Sequence, residues 1–373
     1  MISKIKAITK RLDSPFITPD YLDLKYIPSL DGWRAVAIIM VVQAHFMLTL
    51  EKGTVIHTIL KFTTIGILGV KIFFVLSGFL ITTLLIKEKI KFGQINLKKF
   101  FIRRGLRIVP VLYIYLISVF FINEIFQLNL IPSNFLGPLL YINNFNFFSA
   151  IWLTGHTWSL AVEEQFYLIW PFVFRYLSNS LKICLIIIII IPFIKILQHL
   201  NPQISNYILA PFFVPASSIF TGVLISLSCF NSYISNKFIK QKKFKYSIFI
   251  VCIIWIYVNY YISSRGIYGI YSVPFGDIFT DFCIAYLILF SIVRKSHFIF
   301  AILNSKFLKK IGVISYSIYI WQQLFIIPKG NYPILEQYFY FPFNLILVFG
   351  FGYLSYYFFE RPFLKLKNKF ANH

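Results

Sequence analysis

IPSLDGWRAVAIIMVVQAHF, residues 27–46, is apolar enough to enter a bilayer, yet it carries an arginine, Arg34, and a histidine, His45. On a helix their offset is close to three full turns, so the two share one face, about 16 Å apart along the axis. They cannot touch, but both can line one passage. An ionisable residue inside a membrane span is unfavourable enough to be a functional hypothesis by default. A second pair, Arg104 and Arg107, stands in the strongly basic loop KKFFIRRGLRIVP, residues 98–110.

Hydrophobic residues fill 58% of the 373 positions and aromatics 20%, against 13% charged, with a mean hydropathy of +0.74. No soluble core of this size hides so much apolar surface, so the fold class is all-α, a polytopic membrane protein. The net charge of +23 does not point to nucleic acid, because the basic residues fall in clusters between apolar runs and form no separate domain. Cys184, Cys229, Cys252 and Cys283 are isolated in or beside different apolar segments, without a CxxC spacing, and read as small buried hydrophobes rather than disulfide or metal ligands. The first 26 residues lack the apolar core and cleavage site of a signal peptide, so the first span is expected to act as an uncleaved signal.

About 20 apolar residues span the hydrocarbon core as a helix. Ten segments qualify: 28–50, 64–86, 107–127, 158–178, 181–200, 208–228, 246–263, 275–293, 312–328 and 338–360. Basic clusters at 4–25, 87–107, 237–245, 294–310 and 361–369 all fall on one side of the membrane if both termini are cytoplasmic, whereas residues 108–174 contain no Lys or Arg. The expected organisation is a cytoplasmic segment 1–26, a transmembrane domain 27–362 and a cytoplasmic tail 363–373, multi-pass in the inner (cytoplasmic) membrane.

With the amino terminus inside, Arg34 lies near the inner end of span one and His45 toward its outer half. His45 reads either as a packing histidine or as a general base for an alcohol, a step that an ordinary imidazole suits. Arg34 is either a snorkelling anchor with Asp31 as its surface partner or a guanidinium facing the passage. Arg104 and Arg107, three apart, share a helix face at the inner mouth of span three; they serve topology and lipid contact, or make a fork for the phosphates of an acyl donor.

HTWSLAVEEQFYLIWP, residues 156–171, opens span four from outside. His156, Trp158 and Tyr167 suit an interfacial belt. Glu163 and Glu164 are harder to explain as anchors, and at least one should face the protein interior to orient a histidine, balance charge or bind an acceptor; Glu163 is preferred, with Tyr167 and Trp170 following on its face. Ser77 and Gly78 in FFVLSGFLI (73–81) read as close helix packing. Asp277 and Asp281 share a face at the outer end of span eight, either exposed at a helix start or in contact with a hydroxyl-rich acceptor.

SLDGWRAVAIIMVVQAHF, FFVLSGFLI, RRGLRIVP, TWSLAVEEQFYLIWP, ISYSIYIW and FFERP (358–362) resemble, in order, the motif series of the integral-membrane acyltransferase-3 family. The resemblance implies transfer of an acyl group, usually acetyl, from cytosolic acetyl-CoA to a cell-envelope carbohydrate such as O-antigen, exopolysaccharide, peptidoglycan or Nod factor, or to a macrolide; the expected partners are acetyl-CoA, an envelope glycan or lipid-linked sugar as acceptor, and membrane lipids. It implies catalytic roles for Arg34 and His45, donor binding by Arg104 and Arg107, a place in the site for Glu163 and Glu164, and no metal. Glu360 and Arg361 match the tail motif and suggest an ion pair at a helix end. Two positions depart from the pattern: Gln322 stands where many members carry histidine, and Lys71 where many carry an acid. Relatives that continue into an esterase-like domain differ from this chain, so a second transfer is expected to need another protein. Nothing in the sequence fixes an oligomeric state. The rival class is a transporter or flippase for a lipid-linked sugar, which requires no CoA-binding fork.

Overall fold

The computed structural model describes residues 15–369 apart from 25, 146, 148–150, 178, 202, 204–209, 236–245, 268, 270 and 295–296. The basic clusters at 4–11 and 237–245, Lys25, Lys295 and the end of the tail therefore lie outside the described residues. Helices dominate, and the β-structure among the described residues is a single bridge between Phe16 and Asn231. The protein is an all-α, multi-pass membrane protein.

Each of the ten expected segments contains a helix: α1 Pro28–Met47, α2 Gly66–Phe92, α3 Leu97–Phe126, α4 Thr157–Tyr176, α5 Ser180–Leu200, α6 Ala210–Phe230, α7 Tyr246–Ser264, α8 Asp277–Val293, α9 Ser315–Phe325 and α10 Phe343–Ser355. By length and composition, seven helices among the described residues can cross a membrane, α8 counted from Ser272 and α10 continued to Leu366. The others, α1, α4 and α9, fall short for readable reasons. Asp31, Arg34 and His45 dilute α1, Glu163 and Glu164 dilute α4, and α9 is parted from the preceding helix Lys306–Val313 at Ile314. Two of the three, α1 and α4, carry Arg34, His45, Glu163 and Glu164.

One expectation is corrected here: the basic stretch at 98–110 is not a loop. Helix α3 starts at Leu97, where the Asn96 side chain accepts a hydrogen bond from Lys99 N at 2.9 Å and caps the first turn, so Arg104 and Arg107 sit well inside it. Exposed apolar side chains such as Ile189 and Phe193 on α5 and Val251 on α7 supply the surface that lipid covers.

The chain divides into two compact units, residues 1–30, 71–95 and 163–305 in one and 31–70, 96–162 and 306–373 in the other. In the first, α2 and α6 cross at reciprocal glycines: a Cβ on Gly78 would meet Ile219 O at 1.9 Å, and one on Gly222 would meet Val75 O at 2.1 Å. The packing role read for Gly78 holds, since only a residue without a side chain lets the backbones approach so closely. Thr83 and Ser226 hydrogen-bond across the same pair of helices at 2.9 Å. The described end of the amino-terminal segment docks here as well: Ile17 N donates to Phe230 O at 2.8 Å, and Leu22 is fully buried.

In the second unit, α9 packs along α10, and the helix Arg361–Asn368 packs on α3. Tyr316 of α9 donates to Ile108 O of α3 at 2.7 Å, one residue beyond Arg107. Gly312 lies against the first turn of α1, where an added Cβ would come within 1.9 Å of Asp31 O. That contact fixes the backbone from which Arg34 projects.

Candidate active site

Helix α1 holds Arg34 and His45, both partly buried. Arg34 Nη1 lies 3.3 Å from Asp31 Oδ1, one turn back. Asp31 is not the surface partner expected: it is 8% exposed, with its backbone under Gly312. A buried carboxylate beside a guanidinium restrains the guanidinium instead of leaving it to snorkel.

His45 Nδ1 lies 3.2 Å from Gln322 Oε1 on α9. With the amide oxygen as acceptor, Nδ1 carries the proton and Nε2 keeps the lone pair, the tautomer a base needs at Nε2. The His45 ring also meets Trp152 edge-on, at 5.2 Å between centroids. Trp152 is held in turn, its Nε1–H donating to Ile326 O at 2.7 Å and Gln323 O at 3.1 Å.

Beside this lies a second histidine that the sequence reading placed in an interfacial belt. His156 is 4% exposed. Its backbone N–H and Nδ1 both address Gln323 Oε1, at 3.0 and 2.7 Å, and its ring meets Tyr115 and Tyr319 edge-on. Tyr319 donates to His156 O and bonds Ser159 Oγ, the latter at 2.7 Å. Adjacent glutamines on α9 thus pin two histidines. ISYSIYIWQQ (314–323) places Ser315, Tyr316, Tyr319 and Gln322 in span nine, where packing and interhelical hydrogen bonds are expected, and the bonds made by Tyr316, Tyr319 and Gln322 agree with that; Gln323 was not singled out, although a second amide inside an apolar helix was the available signal.

Arg104 stacks over Phe100, 5.8 Å from its centroid, so its charge is carried on an aromatic face within α3. Glu360, read as one half of an ion pair, is buried and accepts a hydrogen bond from Ser317 Oγ at 2.7 Å, while Arg361 lies over the Tyr357 ring. This ties the FFERP motif to α9, the helix that supplies Gln322.

In the other unit Glu163 accepts from Tyr167 Oη at 3.0 Å, one turn on, as their shared face suggested. Tyr167 Oη also bonds Ser77 Oγ at 2.7 Å, and Glu164 is partly buried. Asp281 is not at an exposed helix start. It is fully buried, accepting from Lys71 Nζ at 3.1 Å, Ser217 Oγ at 2.7 Å and Ser218 Oγ at 2.6 Å. Asp277 pairs with Lys71 at 3.3 Å and with Lys195. Lys195 escaped notice, although a lysine inside IIIIIIPFIKIL demands a buried partner and Asp277 and Asp281 are the acids of the neighbouring span.

The acyltransferase domain model of the acyltransferase-3 family matches residues 27–359, and the chain belongs to that family. The peptidoglycan O-acetyltransferase OatA of Listeria monocytogenes is 38% identical over 162 residues, 39% of this chain and 24% of its own length. A Staphylococcus aureus protein provisionally named an O-acetyltransferase is 30% identical over 379 residues, 92% of this chain and 58% of its own. The O-acetyltransferase OatA of Staphylococcus aureus is 35% identical over 170 residues, 42% of this chain and 26% of its own. The chain therefore spans from about a quarter to 58% of the length of these relatives. No solved structure matches it.

Proposed function

We propose that the protein is a membrane O-acetyltransferase that moves an acetyl group from cytosolic acetyl-CoA to a hydroxyl of a cell-envelope carbohydrate. The observation that carries this reading is the hydrogen bond from His45 to Gln322, which leaves Nε2 of a neutral imidazole as a base within a family of acyltransferases. The protein works in the inner membrane, with ten spans and both termini in the cytoplasm, so that the basic end of α3 meets the donor.

Arg104 and Arg107 suit the donor's phosphates, because guanidinium groups one turn apart give charge-assisted hydrogen bonds to neighbouring oxygens. Arg34, restrained by Asp31, lines the route that the donor's acyl arm takes toward His45. His45 Nε2 accepts the proton of the sugar hydroxyl as its oxygen bonds to the acetyl carbonyl carbon. The carbon–sulfur bond breaks, the sulfur leaves as CoA, and the proton held by His45 passes to it. An acetyl-histidine intermediate obeys the same balance in two steps. Glu163, held by Tyr167, and Glu164 serve as carboxylates that receive acceptor hydroxyls or balance charge.

The test is transfer of labelled acetyl groups to envelope carbohydrate by His45→Ala at normal protein level. A loss of about 10²- to 10⁴-fold is expected for removal of a general base. Transfer at the wild-type rate sinks the proposal.

A further inference from the structure

A cleft of about 550 Å³ lies at one end of the first unit, where the last turns of α5 and α7 meet the chain entering α8. Its volume is within the ~300–1,000 Å³ of small-molecule sites. Gln198, Asn259, Ser263 and Ser272 line it with amides and hydroxyls, His199 adds an imidazole, and Val214 and Ile267 add apolar surface. At its wall stand Lys195 and Asp277, already paired with each other, and Asp277 is joined through Lys71 to Asp281. Two lysines thus face two aspartates, and beside these paired charges the wall presents amides, hydroxyls and the His199 imidazole.

We infer that this cleft holds a neutral, hydroxyl-rich segment of the acceptor glycan, an inference that rests on the O-acetyltransferase reading above. Amides and serine hydroxyls both donate and accept, as sugar hydroxyls do, and the aliphatic side chains match the C–H faces of a pyranose. A phosphorylated or acidic ligand finds Lys195 engaged by Asp277, so a neutral glycan is the better fit. The helix ends around the cleft are those that the positive-inside pattern assigns to the outer face, where an envelope acceptor waits.

Ile267 is 58% exposed in a turn and Ser263 is exposed at the end of α7, so tryptophan at either position fills the cleft without entering the core. The experiment compares envelope glycan from cells with the wild-type chain, without it, and with Ile267→Trp or Ser263→Trp, reading added acetyl groups by mass spectrometry. Acetyl-CoA binding by each purified full-length protein is measured in parallel. The expected result is acetylation down about tenfold or more in both variants, the loss of about one or two hydrogen bonds, with acetyl-CoA binding unchanged. Wild-type acetylation in both variants, as when the cleft holds a lipid headgroup instead, overturns the inference, and so does loss of acetyl-CoA binding in step with acetylation. If glycan from cells without the protein is unaltered, the O-acetyltransferase reading itself fails, an outcome that the cleft variants cannot mimic.

Discussion

Asp281 and His45 are both ionisable groups inside apolar helices, but their surroundings differ in kind. Asp281 is closed off by a lysine and two serines, every partner a donor to its carboxylate. His45 leans on a neutral amide and an aromatic edge, and the Nε2 of that amide, Gln322, is itself buried with no hydrogen-bond partner among the described residues. Donors on every side hold a carboxylate in one place and leave it no room for another partner. A neutral partner orients a group and leaves it able to exchange a proton. The first arrangement suits architecture and the second suits chemistry.

The sharpest way to break this contrast is to remove the locked carboxylate. Asp281→Ala leaves the partly buried Lys71 with Asp277 and strips the acceptor from two serines, so a loss of about 3 kcal/mol is expected, the low end of the range for breaking a buried pair. Thermal unfolding in detergent measures it. Lys71→Met combined with Asp281→Leu should recover much of that stability, because a well-packed apolar pair replaces the ion pair at little net loss. If the single variant is as stable as wild type, the network is not structural and the contrast collapses.

A smaller effect is expected at the proposed donor end. Arg104→Ala with Arg107→Ala should weaken acetyl-CoA binding about 10- to 100-fold, the worth of one or two hydrogen bonds to charged groups, and should flatten its salt dependence. Isothermal titration at two ionic strengths reads both. Binding that is unchanged returns these arginines to topology and lipid contact, and reopens the transporter reading that the family match disfavours.

Spans were legible in the sequence because twenty-odd apolar residues between basic clusters have one physical outcome in a bilayer, and α5, α6 and α7 begin and end within a few residues of expectation. Helix starts were less legible where charge and helix overlap: Lys98, Lys99, Arg103 and Arg104 look like a loop until Asn96 is seen to cap them. Residue types and local spacings pointed to Arg34 and His45 on one helix and to the Glu163–Tyr167 contact, since these residues are one helix turn or one helix face apart. Long-range partners were not available. The bond from His45 to Gln322 joins positions 277 residues apart, and that from Lys71 to Asp281 spans 210, so only packing reveals them. Buried polar side chains announced that partners must exist without saying which.

The mildest and most discriminating prediction concerns Gln322, because it changes the neutral partner into a charged one. Gln322→Ala removes one hydrogen bond and should lower acetyl transfer about tenfold with acetyl-CoA binding intact. Gln322→Glu keeps the shape but sets a carboxylate beside the imidazole, which favours the protonated ring and raises the histidine's pKa. A general base works only when deprotonated, so the acid limb of the pH–rate profile follows that pKa and should move about one unit or more toward alkaline pH. A packing histidine responds differently: its activity profile keeps the wild-type limb while overall stability changes. An unshifted limb in Gln322→Glu, with transfer still present, removes His45 from the role of base and leaves the contrast with Asp281 as one of degree only.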